Sequence, residues 1–330
     1  MRVRLATTVS GTVLLNREIS TTETWEHLEF SVSVKWPKPG DTIRCQLRFA
    51  GSAQPFEIGG LDLVFFSEKQ LGALAAQRPR IDRLPPVTPG KRWDLVWSDE
   101  FDGTNVDETK WNIVEGKRND VIRSRKAVSL DGQGHLIMSI FKEGSKSYDG
   151  WVDTKGKFEH RFGYYTARIK LQTSTGHWSA FWLQTPATTN VDGSGRDGSE
   201  IDIMEKPGLS EVVNHAIHWD GYGKDHKSEG VRSVNPGVTN GWHTFSLWWT
   251  DKVYVFYVDD YEVWRTQAGG VCQVPAELRL TDEASAKEGN WAGSVLTASL
   301  PDAWYVDYVR VFDLVDEKKQ ADSKEPTHGK

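Results

Sequence analysis

Apolar and polar residues alternate through most of this chain, and that pattern, more than any other feature, restricts it to a fold built of β-sheets. It is plain in LEFSVSV at 28–34, TIRCQLRF at 42–49, YYTARIKL at 164–171 and VYVFYVDD at 253–260. Period two in β-branched and aromatic residues places one set of side chains in a core and the other outside it. PGD, DGQG and DGSG supply turns between the runs. One stretch, FSEKQLGALAAQR at 66–78, reads as a helix, and the proline-rich RLPPVTPGK at 83–91 follows it. The expected layout is a β-rich accessory segment over 1–75, the end of the helix and a linker over 76–91, an all-β sandwich over 92–315 and a charged, disordered tail over 316–330.

A chain of 330 residues suits one large domain plus a small one. The 15 Trp, 13 Phe and 9 Tyr exceed what a core needs, and indole faces stack on sugar rings, so part of this aromatic content is expected in a binding groove. A net charge of −6 leaves no basic footprint for a nucleic-acid partner. It also speaks mildly against a strongly sulfated substrate. The two cysteines, Cys45 and Cys272, fall in different segments, which excludes a disulfide framework and a cysteine zinc site. No apolar run approaches the ~18 residues of a membrane span. In the opening MRVRLATTVSGTVLLNRE, Thr, Ser and Gly interrupt the apolar residues, so it reads as strand and not as a secretion signal.

The chemistry concentrates in GSEIDIMEKPG at 198–208. Glu200, Ile201, Asp202 and Ile203 alternate, so Glu200 and Asp202 share one face and the isoleucines enter a core. Strict alternation would drive Glu205 into that core, where an unpaired carboxylate is costly. One extra residue at Ile203–Met204 would form a β-bulge and return Glu205 to the carboxylate face. Glu200 and Glu205 would then stand roughly 13 Å apart at their Cα atoms. Leaning together, their carboxyl groups would reach the roughly 5–5.5 Å of a retaining glycosidase. On this reading Glu200 is the nucleophile and Asp202 holds it. Glu205, its pKa raised by negative neighbours, is the acid/base. An acidic solvent-facing strand or a carboxylate metal site would also fit the bare E-x-D-x-x-E spacing.

The surroundings of this stretch resemble glycoside hydrolase family 16, from about Trp93 to Phe312. WDLVWSDEFDGTNVDETKWN is similar to the family's first strands, and KGKFEHRFGYYTARIKLQTSTGHWSAFWL to the pair leading to its active site, with Thr166 where many members carry Glu. GSEIDIMEKPG matches the signature in its bulged form; WHTFSLWWTDKVYVFYVDDYEVWRT and LPDAWYVDYVRVFD resemble the closing strands. The resemblance implies a concanavalin-like β-jelly-roll, retention of configuration and endo-action on a β-linked polysaccharide. It gives Glu200, Asp202 and Glu205 the roles derived above. It places Trp178 and Trp182, four apart and so on one side, in the cleft, and sets His218 beside the nucleophile with Trp219 next to it. Glu283 falls where it would bind sugar hydroxyls, reject acidic substituents or stay a solvated loop charge. No cofactor is required for catalysis; a structural Ca²⁺ would draw on Glu100 and Asp307. The segment from Trp25 through GGLDLVFF resembles the closing strands of a carbohydrate-binding jelly roll, so 1–75 is either a truncated module or a small accessory sheet.

Two classes of function compete on these grounds. One is an endo-hydrolase of β-1,3- or mixed-linkage glucan, with marine β-galactan of the agar or porphyran type as the alternative substrate and transglycosylation as a variant of the same chemistry. The other is a non-catalytic carbohydrate-binding protein of the same fold. A monomer is expected, acting extracellularly or in a periplasm because its substrate is a polymer.

Overall fold

In the computed structural model, residues 84–317 are described apart from 119 and 288, together with the backbone of three strands nearer the N-terminus. The chain divides into two compact units, Met1–Leu71 and Gly72–Lys330. In the first, Arg2–Val9, Thr12–Ser20 and Ile43–Ala50 form an antiparallel sheet with Arg2–Val9 in the middle. The opening residues and TIRCQLRF are therefore strands, as their alternation predicts. LEFSVSV, GGLDLVFF, the helix expected at 66–78 and the tail from residue 318 lie outside the described residues.

The second unit is a two-sheet sandwich. Its principal strands in chain order are β1 (Lys91–Asp99), β2 (Leu136–Glu143), β3 (Trp151–Asp153), β4 (Gly163–Lys170), β5 (His177–Gln184), β6 (Glu200–Pro207), β7 (Val212–Trp219), β8 (Lys227–Val234), β9 (Trp242–Trp249), β10 (Tyr254–Val258), β11 (Tyr261–Thr266), β12 (Ala276–Ala284) and β13 (Asp302–Asp316). One sheet has the order β11-β10-β9-β4-β13-β2, extended by short strands at Lys146–Asp149, Val121–Arg123 and Gly116–Arg118, with β1 on β13. The other runs β8-β7-β6-β5-β12-β3 and ends on Asn112–Ile113.

Alternation sorts side chains between the two faces of each sheet. Tyr165, Ala167 and Ile169 of β4 and Phe245, Leu247 and Trp249 of β9 meet Phe181 and Leu183 of β5, Ile201 and Ile203 of β6, and Leu278 and Leu280 of β12 in one core. Burying each large apolar side chain contributes about 1.5–3 kcal/mol, so the inward faces hold the sheets together. The outward face of the second sheet is then free to carry polar residues. Entry into β6 depends on Gly198, where a Cβ would lie 2.3 Å from the Ala187 carbonyl carbon. Only glycine lets the 185–199 loop close this tightly against the start of the strand.

Candidate active site

The bulge expected in β6 is present. Phe181 of β5 pairs with Met204 and its neighbour Trp182 with Asp202, so Ile203 is the extra residue. On the other side Asp202 pairs with Ala216 and Glu205 with Asn214. Ile203 and Met204 both enter the core, and Glu205 returns to the face of Glu200 and Asp202. A bulge frees a backbone group from the ladder; here the Ile203 carbonyl accepts a hydrogen bond from Nδ1 of His215 at 2.7 Å. Burial pushes the His215 pKa down to about 4, so the neutral ring donates through Nδ1 and accepts through Nε2 from the Ser233 hydroxyl at 2.8 Å.

Each carboxylate has a distinct environment. Tyr222 Oη lies 2.5 Å from Glu200 Oε2 and 3.0 Å from Gln184 Oε1. Burial and the Glu200 charge push the Tyr222 pKa up, so the phenol stays protonated and donates. Asp202, buried, faces Nε2 of His218 at 3.1 Å, and Nδ1 of His218 meets Nε2 of His226 at 2.9 Å. Ligand atoms of Glu200, Asp202 and His218 all lie within 4.8 Å of one another. Burial, then the charges of Glu200 and Glu283, lift the Asp202 pKa well above the carboxylate range. Glu205 is lifted too, by burial first and by Asp202 second, against an opposing hydrogen bond from Asn214 Nδ2 at 2.9 Å. A glutamic acid held protonated beside a tyrosine-bound glutamate can give a proton while its neighbour attacks.

These groups sit on the floor of a cleft with two lobes. One, of about 550 Å³, is lined by Glu200, Asp202, Glu205, Asn214, His218 and Trp291, among others. The second, of about 540 Å³, shares Glu200 and His218 and adds Trp151, Trp182, Tyr222 and Arg279. Trp178 and Trp182 lie together on the cleft side with Ala180 and Trp151, as their even spacing predicts. Their availability differs from expectation. Trp182 is only 6% exposed, donates to Thr281 Oγ1 at 3.1 Å, and has the Arg279 guanidinium 4.6 Å above its ring. Trp178 packs edge-on against Trp291, with centroids 5.5 Å apart. Among the described residues of the cleft, the indole open to a sugar is Trp291, 40% exposed.

Three expectations need correction. Trp219 follows His218 and therefore points the other way, into the inter-sheet core beside Gly195 and Gly269, with Nε1 buried and unpartnered among the described residues. Glu283 is no loop charge: it is buried in β12 opposite Trp178, and its carboxylate pairs with Arg118 at 2.7 Å. Glu100 and Asp307 do not fit a calcium ion, which needs six to eight oxygens. Glu100 is held in a fork by Arg310 at 2.9 and 2.7 Å, and Asp307 is held by Arg168. Several site residues escape the sequence reading. Asn214 shares parity with His218 on β7, a signal that was there to use. Tyr222, His226 and Trp291 come from loops, where no periodicity marks them.

An open β-sandwich face with two glutamates flanking an aspartate on a bulged strand, one glutamate held protonated, defines a glycoside hydrolase. The chain belongs to the glycosyl hydrolases family 16, whose model matches residues 115–294. It is 28% identical over 241 residues to a keratan-sulfate endo-1,4-beta-galactosidase of Sphingobacterium multivorum, covering 67% of this chain and 56% of that protein. It is also 28% identical over 256 residues to a beta-glucanase of Rhodothermus marinus, covering 68% of this chain and 86% of the relative. Among solved structures it is similar to the laminarinase catalytic domain of Thermotoga maritima, with a TM-score of 0.58 and 27% identity over 67% of this chain and 98% of that one.

Proposed function

We propose that this chain is a retaining endo-β-glycosidase that cuts the backbone of a β-linked glucan or galactan outside the cytoplasm. The observation that carries this reading is the bulge, which sets Glu205, held protonated by burial, on the cleft face with Glu200. In the first step a Glu200 oxygen bonds to the anomeric carbon, the glycosidic C–O bond breaks, and the Glu205 proton passes to the leaving oxygen. In the second, ionised Glu205 takes a proton from water, the water oxygen bonds to the anomeric carbon, and Glu200 is released. Tyr222 fixes one Glu200 oxygen and leaves the other to attack. Asp202, between the two glutamates, lies beside His218, and His218 is itself hydrogen-bonded to His226, which fixes the position of its ring. The open cleft, with Trp291 on its wall, suits a chain that enters from the side and is cut internally. One relative named as an endo-1,4-beta-galactosidase and one named as a beta-glucanase support cleavage at either kind of β-linked sugar.

Laminarin, lichenan, agarose, porphyran and carrageenan, each incubated with the protein, test this reading through reducing-end release and product sizing. The expected result is a ladder of oligosaccharides from at least one of them, abolished in Glu200→Ser while binding to that polymer persists. Binding by the wild type without release from any polymer would instead identify a non-catalytic carbohydrate-binding protein.

A further inference from the structure

The second lobe of the cleft has a character that a neutral sugar does not call for. Among its charged lining residues, Arg118, Arg123, Lys155 and Arg279 outnumber Asp153 and Glu200, and Glu200 is the nucleophile. The cations converge on one ring: the guanidinium carbons of Arg123, Arg118 and Arg279 lie 3.7, 5.4 and 5.6 Å from the centre of Trp151. Arg279 also covers Trp182. The aromatic faces of this lobe are therefore occupied by cations, and what the lobe presents to a ligand is positive charge. Like charges gathered in a half-enclosed space repel, and such a cluster is stabilised by an anion arriving among them.

Internal partners do not absorb all of this charge. Arg118 pairs with Glu283, and Arg279 with Glu277 at 2.7 Å through Nε. Arg123 is different. Its Nε is buried and has no hydrogen-bond partner among the described residues. Asp149 faces it across the parallel strand pair, yet forms no ion pair with it among the described residues. Burial and the neighbouring Asp282 and Glu283 push the Asp149 pKa up to about 8, so at neutral pH its carboxyl leaves the arginine's charge in place.

We propose that this lobe is an anion-reading subsite that takes a sugar bearing a sulfate ester or a carboxylate, with Arg118, Arg123 and Arg279 holding the substituent. The proposal rests on the endo-glycosidase reading above and narrows its substrate class. It reverses the inference from net charge, because −6 over the whole chain says nothing about the charge facing one part of a cleft. Guanidinium groups suit such substituents, since their forked donors match the paired oxygens of sulfate and carboxylate.

Matched substrates test it. Porphyran and its chemically desulfated form make one pair; a uronic-acid-containing β-glycan and its carboxyl-reduced form make the other. Initial rates are followed by reducing-end release, with laminarin and lichenan alongside. The expected result is a kcat/KM at least about tenfold higher on the anionic member of one pair, and which pair responds identifies the substituent. Added NaCl should lower that rate and leave the neutral member's rate nearly constant. Arg123→Gln should shrink the anionic-to-neutral ratio toward one, chiefly through KM; the salt series on wild type gives the same information if that variant folds poorly. Equal or faster cleavage of both neutral forms, or of the glucans alone, overturns the proposal and leaves the glycosidase reading standing. No cleavage of any of the six overturns both.

Discussion

Replacing Asn214 with alanine removes a hydrogen bond that works against the high pKa of Glu205. Its Nδ2 donates to Glu205 Oε2 at 2.9 Å, and a donor to a carboxylate favours the ionised form. A hydrogen bond to a charged group is worth about 1.5–3 kcal/mol. Water can enter the space left by the shorter side chain, so the lower end applies. At 1.36 kcal/mol per pKa unit that is an upward shift of about one unit. Glu205 must be protonated to act on the leaving oxygen, so the alkaline limb of the pH dependence of kcat/KM reports its pKa in the free enzyme. In Asn214→Ala that limb should move up by about one pH unit, with the acid limb moving much less. An alkaline limb that stays in place or moves down would refute the assignment of Glu205 as the acid. A shift of both limbs together would point to a general change in the site instead.

Two other variants probe the frame around the site. His215→Leu leaves the Ile203 carbonyl at the bulge without its donor; an unsatisfied buried acceptor costs about 1–3 kcal/mol, and denaturant unfolding should show that loss together with a lower kcat, whereas wild-type values for both would mean the bulge holds itself. Asp149 ionises in the unfolded chain above about 4 but in the folded protein only near about 8, so the native state holds an extra proton in that window and loses stability as pH rises through it. Asp149→Asn removes the effect, and its Tm relative to wild type, measured by scanning calorimetry, should rise from about pH 5 to about pH 9; a constant difference would contradict the burial of this carboxyl.

Much of this was legible in the sequence because it depends on parity. Alternation in YYTARIKL and VYVFYVDD marks strands whose inward residues form the core, and the E-I-D-I run followed by Met204 and Glu205 forces a choice between a buried carboxylate and a bulge. The cost of burial decides that choice without coordinates. Parity also contradicts the placing of Trp219, since it cannot share a face with His218 on a regular strand. The environment of Trp182 was not legible: the guanidinium above it comes from β12, nearly a hundred residues away in sequence. The same holds for the basic lobe, gathered from three separate parts of the chain. The sequence leaves Glu283 open between a group facing the sugar and a solvated loop charge, because the partner that makes its burial tolerable, Arg118, lies far upstream.

The central claim is that Glu200 and Glu205 carry out a double displacement. Proton NMR of the anomeric region during the first minutes of cleavage, before mutarotation mixes the anomers, tests it most directly. On whichever polysaccharide the protein cuts, the β-anomer should appear first and the α-anomer only later, at the rate of spontaneous mutarotation. An α-anomer formed first would mean direct attack by water across a wider gap, and the roles given to the two glutamates would be wrong.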